Sequence, residues 1–181
     1  MEDSFDRLYE EYHQSLFQYI FYMVRNREVA EDLVQEVYIK VLKSYKSFEG
    51  KSSEKTWLHS IARHVTIDWI RKQNRRKKKL LFFTLSEKEN LIKDHEPLPD
   101  EWVTQKESVK QLYKTLHKCT QDQQQVLILR FIQSLSITET AAVLGWSESK
   151  VKTTQHRAVK RLRDLLDQRL GLEEELKDGI V

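Results

Sequence analysis

Two stretches of this chain carry side chains whose types and spacing suit the holding of a phosphate backbone. In the first, Lys55, Arg63 and His64 lead into Arg71, Lys72, Arg75, Arg76, Lys77, Lys78 and Lys79, and the terminal run contains no acid. Leu58, Ile61, Ala62, Val65 and Trp69 recur in the same segment at three- and four-residue spacing, which predicts a helix with an apolar stripe on one side. The cations, Thr56 and His64 would then line its outer face. Lys51, Ser52 and Ser53 precede it as a small polar loop where an unstacked base could be held, and Ser53 suits the N-cap position. The bland alternative is a solvated helix face with a basic tail.

The second stretch runs from Ser147 to Arg163. Lys150, Lys152, Arg157, Lys160, Arg161 and Arg163 accompany His156 with no acid between Lys150 and Arg163. A helix entering a major groove needs cations for phosphates and short polar groups near its N-terminal end for base edges. Lys152, Thr153, Gln155 and His156 are the base-edge candidates, Lys150 and Lys160 the phosphate candidates, and Ser149 and Arg157 flank them. Ahead of it, Ser136-Ile137-Thr138-Glu139 has the pattern of a capping box. Ala141, Gly145 and Val151 fall where a helix-turn-helix requires close packing, a tight turn and a buried anchor.

Enzymatic chemistry finds no such support. His64 and Asp68 lie one helical turn apart, but no further Asp, Glu or His completes a metal site or an acid/base pair. Cys119 is the single cysteine, so neither a disulfide framework nor a Cys/His zinc pattern is available. No catalytic residue, metal or cofactor is expected. Met1-Glu2-Asp3-Ser4 lacks the basic and apolar regions of a secretory signal, and no apolar run approaches membrane-spanning length. The expectation is a cytoplasmic protein without direct membrane insertion.

The elements that position these groups follow from periodicity. With 181 residues, four glycines and two prolines, the fold class expected is all-α: two small helical domains joined by an acidic flexible linker, the second with a helix-turn-helix. Leu8, Tyr12, Leu16, Tyr19, Ile20 and Met23 predict a helix over 5–24, with Asp3 or Ser4 available as cap. Ala30, Leu33, Val34, Val37, Val41, Leu42, Tyr45 and Phe48 predict a second. Asp32, Gln35, Glu36 and Ile39 share its other side, as a docking patch or an ordinary solvated face. The first domain spans 1–80. Residues 81–104 lose periodicity, hold both prolines and carry six acids against two lysines, and so read as the linker. Leu80 to Phe83 could still pack on the first domain. The second domain covers 105–170, with a short helix around Val109 to Leu116, a capping box at Thr120-Gln121-Asp122-Gln123 and a helix over 124–133. A fraying tail is expected over 171–181.

Together these segments resemble the bacterial sigma factors of RNA polymerase, specifically the extracytoplasmic-function (ECF) class. The stretch 30–38 is similar to the segment that binds core polymerase, which implies docking through Asp32, Leu33, Gln35, Glu36 and Ile39. Lys55 to His64, with Asp68, Arg71 and Lys72, resembles the segment that melts and reads the −10 promoter element. Ser136 to Arg157 resembles the helix-turn-helix that reads the −35 element. Phe48-Glu49-Gly50, Ser53 to Trp57 and Val151 to Arg157 look nearest to the sigma-X branch of bacilli. Two departures bear on specificity: His64 stands where many members carry Asn, and Thr154-Gln155 where a pair such as Arg-Ile is common. The resemblance implies core RNA polymerase and promoter DNA as partners, a membrane-anchored anti-sigma factor as inhibitor, and control by envelope stress. The alternative is a helix-turn-helix regulator that acts without core polymerase, for which the first domain would need a ligand pocket or dimer interface.

Overall fold

The computed structural model describes residues 2–84 and 107–178, all helical or in connecting turns. The chain divides into two compact units, Met1–Pro99 and Asp100–Val181. Most of the expected linker, from residue 85 to 104, lies outside the described residues, as do residues 179–181 of the tail.

The first unit packs three helices, α1 (Glu2–Val24), α2 (Arg27–Ser44) and α3 (Glu54–Thr84). Their apolar stripes meet in one core: Leu8, Leu16, Tyr19 and Ile20 from α1, Ala30, Val34, Val37 and Val41 from α2, and Leu58, Ala62 and Val65 from α3 are buried. Asn26 separates α1 from α2 by capping the latter, its side chain accepting from the Val29 amide at 2.9 Å. A short 3-10 turn, Tyr45–Ser47, ends α2, and Gly50 adopts a left-handed φ of 68° in the reversal that follows. Ser53 caps α3 as expected, with the Thr56 amide donating to its hydroxyl at 3.2 Å. Arg7 of α1 then clamps Glu54 in the first turn of α3 with two bonds of 2.7 and 2.9 Å, and also pairs with Glu11.

Three expectations for this unit need revision. α1 begins at Glu2, so Asp3 and Ser4 lie inside the helix rather than capping it. Leu42, assigned to the core stripe, is 58% exposed. Val41 already occupies the buried position, and the next residue is rotated by about 100° around the helix. α3 runs past residue 80 to Thr84, with Leu80 and Phe82 largely exposed.

The second unit contains α4 (Glu107–Leu116), α5 (Gln121–Leu127), α6 (Ile137–Leu144) and α7 (Glu148–Asp178). Both expected capping boxes form, at Thr120 with Gln123 and at Ser136 with Glu139. The single helix expected over 124–133 is instead α5 followed by a π turn at Ile128–Ile132, where the Gln133 amide reaches back to the Ile128 carbonyl. Val126, Ile128, Leu129, Leu135, Val143, Leu144, Val151 and Ala158 build the core. Gly145 ends α6 in a left-handed conformation at φ 66°. α7 continues through Gly171 to Asp178, where the sequence suggested a fraying tail. One glycine costs a helix only about 1 kcal/mol, and the Leu, Glu and Lys residues beyond it favour continuation.

Candidate nucleic-acid interface and docking face

In the second unit the helix-turn-helix consists of α6, the Gly145 turn and α7. Ala141 is buried, Val151 is fully buried as the anchor of α7, and Ser147 caps α7 by accepting from the Lys150 amide at 3.2 Å. Thr138 of α6 donates to Glu148 of α7 at 2.7 Å, which fixes the angle between the two helices from the outside. With that register set, Ser149, Lys150, Lys152, Thr153, His156, Arg157 and Lys160 are all exposed. Lys150 Nζ rests 3.8 Å from the centre of the Trp146 ring, so the half-buried indole aims this cation. A depression of about 610 Å³ lies beside the helix, lined by Ser149, Lys150, Thr153 and Arg157 together with Thr120 and Gln123 from the start of α5.

Gln155 differs from its neighbours. It is half-buried, and its Oε1 accepts from Arg130 Nε at 2.8 Å. Arg130 comes from the π turn and also donates to the Leu135 carbonyl. Sequence reasoning missed Arg130, because nothing in a linear pattern places residue 130 against residue 155.

α3 presents the other candidate surface. Lys51, Ser52, Ser53, His64, Arg71, Lys72, Arg75 and Arg76 are exposed, while Lys55 and Arg63 are half-buried. His64 Nδ1 donates to the Ser60 carbonyl at 2.6 Å, which turns Nε2 outward. Thr56 is not on this surface: it is 2% exposed and its hydroxyl lies 2.9 Å from that of Ser53, so it braces the loop from within. Arg71 lies 3.8 Å from Asp68 in an exposed pair that water and salt screen. His64 and Asp68 acquire no metal-binding company, since the described residues hold no cluster of three or more His, Cys, Asp or Glu groups.

On α2, Asp32, Gln35, Glu36 and Ile39 share one exposed face, Ile39 being 52% exposed. Leu33 points the other way, into the core at 5% exposure. Leu42 joins the face instead, one turn beyond Ile39, so the apolar part of the patch is the Ile39–Leu42 pair. Glu36 is bridged to Lys40 at 3.6 Å. A count of stripe positions around the helix axis would have found Leu42.

Among the described residues no helix is long and apolar enough to cross a membrane. Comparison with known proteins places both units. Residues 8–76 match the model of sigma-70 region 2, and residues 115–164 that of sigma-70 region 4. The chain is 51% identical to the ECF RNA polymerase sigma factor SigX of Bacillus subtilis, with 100% of this chain and 97% of that protein aligned. It is 39% identical to RNA polymerase sigma factor YlaC of the same organism over 89% of this chain and 91% of the other. Its fold resembles sigma factor RpoE of Bartonella quintana, solved in complex with the anti-sigma factor NepR, with a TM-score of 0.73, 24% identity and coverage of 91% of this chain and 97% of that one. Regions 2 and 4 in order, with a full-length relative at this identity, establish that the chain belongs to the ECF class of RNA polymerase sigma factors, binds core polymerase and directs promoter-specific initiation of transcription.

Proposed function

We propose that the two units divide the promoter between them. The observation that carries this reading is the acid-free stretch of α7 from Lys150 to Arg163, whose lysines and arginines are all exposed, held at its N-terminal end by a capped, glycine-closed turn. In this reading Lys152, Thr153 and His156 reach base edges of the −35 element, and Lys150, Arg157 and Lys160 hold its phosphates. The α3 surface acts on the −10 element. Extruding a base costs a few kcal/mol, so contacts must exist that form only with the open strand. The Lys51–Ser53 loop, Lys55 and outward-facing His64 supply them, and Arg71, Lys72, Arg75 and Arg76 hold the adjacent backbone. Asp32, Gln35, Glu36, Ile39 and Leu42 dock core polymerase.

The protein performs no catalysis of its own in this account; polymerase does the chemistry, in the cytoplasm. RpoE of Bartonella quintana binds an anti-sigma factor, and the inhibitor inferred here is likewise an anti-sigma factor, membrane-anchored and responsive to envelope stress. The test is reconstitution: purified chain plus core polymerase on genomic DNA fragments is expected to start transcripts at discrete promoters, and neither component alone does so. Equally specific binding of promoter DNA by the chain without core, with no stimulated transcription, would instead mark a regulator that works alone.

A further inference from the structure

We infer that Arg7, on α1, is a positioning residue for promoter opening: it holds and neutralises the Glu54 carboxylate, so that the open strand can approach the Lys51–Ser53 loop and Lys55. This rests on the reading of α3 and its loop as the −10 surface. Three acids, Glu49, Glu54 and Asp68, occur between residues 49 and 76, against seven lysines and arginines. Each of the three is paired. Lys51 meets Glu49 and Arg71 meets Asp68, both between well-exposed side chains whose cations belong to the strand-binding set. Such pairs are weak, and a phosphate can compete for their cations. Glu54 differs. Its side chain is only 24% exposed, its partner comes from another helix, and both of its oxygens are held, at 2.7 and 2.9 Å from Arg7 Nη2. Glu11 engages the other terminal nitrogen of Arg7 at 3.1 Å, so the guanidinium is committed at both ends.

The acid has a reason to be there. Glu54 opens α3, where a carboxylate is favoured by the partial positive charge of the helix N-terminus. The same position stands in the chain between Ser53 and Lys55, so a bare carboxylate would repel a phosphate drawn in by Lys51 or Lys55. Pairing with a cation from outside the strand-binding set resolves this conflict. α3 keeps its N-terminal acid, and no strand-binding cation is consumed in neutralising it. Arg7 acts from forty-seven residues away in the chain, through Glu54 and without touching DNA.

The experiment follows opening of duplex promoter DNA by the holoenzyme, read as the rate at which the −10 element becomes reactive to permanganate. R7Q is expected to open about fivefold more slowly, the effect of one uncompensated charge at a partly screened surface. That deficit should shrink as salt is raised. E54Q should open at least as fast as wild type, and R7Q/E54Q should recover to the E54Q level, because no carboxylate remains to be neutralised. R7K keeps the charge and should stay within about twofold of wild type. The double variant also guards against misfolding, since a fold damaged by R7Q is not repaired by removing the second member of the pair. A role confined to bracing the fold gives the opposite pattern, with E54Q and R7Q/E54Q as slow as R7Q at every salt concentration. Failure of the double variant to recover, or R7Q opening at the wild-type rate, overturns the inference. K55A and H64A in the same assay separate the two levels: slower opening by these with R7Q unaffected refutes only the role of Arg7, whereas wild-type opening by all three refutes the reading of α3 itself.

Discussion

Truncating the apolar pair on α2 tests the docking face most directly. Ile39 is 52% and Leu42 58% exposed in the free protein, so roughly half of each side chain remains for burial by a partner. Complete burial of Ile or Leu is worth about 1.5–3 kcal/mol, so half of it contributes about 1 kcal/mol per residue. The double variant Ile39→Ala, Leu42→Ala should therefore lose about 2 kcal/mol of core-polymerase binding, about thirtyfold in affinity. Alanine is the strongest helix former, so α2 should persist and the thermal transition should move little. Leu33→Ala is the contrasting case, since that side chain is 5% exposed. Removing it should cost about 2–5 kcal/mol of folding stability, with little change in the affinity of the molecules that remain folded. Competition against labelled wild type for core polymerase, monitored by fluorescence anisotropy, provides the affinities. Double-variant affinity within threefold of wild type would refute docking through this face.

Other outcomes follow from single contacts. Ser136→Ala removes the acceptor for the Glu139 amide at 3.1 Å; it should destabilise the second unit by about 1 kcal/mol, seen as a lowered melting temperature that Ser136→Asp restores. His64→Ala should impair opening of the −10 element more than closed-complex formation, and a template with that element already unpaired should rescue it; permanganate reactivity equal to wild type on duplex DNA would remove His64 from melting. Burial pushes the Tyr19 and Tyr38 hydroxyls above the ordinary phenol range. Their folded-state protons are held more tightly than in the unfolded chain, so this contribution is complete below about pH 10 and is lost as pH rises through the folded values. Phenolate absorbance and helical circular dichroism should consequently change together in alkaline titration; ionisation of all tyrosines near pH 10 with the helices intact would contradict it.

The sequence alone determined most of the helices, three of their caps and the charge distribution along them. These depend on residues within one or two turns: Ser53, Thr120 and Ser136 cap the helices assigned to them because a hydroxyl reaches only nearby amides. The acid-free stretches were legible for the same reason, as was the left-handed turn at Gly145. Tertiary structure decided which side of each helix is covered and which distant residues meet. Leu33 lies in the core, as its place on the stripe predicts and unlike the docking role implied by resemblance, while Leu42 left the stripe for the outer face because the stripe's direction is set by what α1 and α3 cover and a one-residue step rotates a side chain by about 100°. Thr56 turned inward to brace the Ser53 loop. Gln155, one more polar residue in the linear pattern, became an amide of fixed orientation once the π turn carried Arg130 across twenty-five residues of chain to hold its oxygen. Local chemistry fixes where a helix starts and what charge it carries, but the partner of a half-buried amide is chosen by packing between elements.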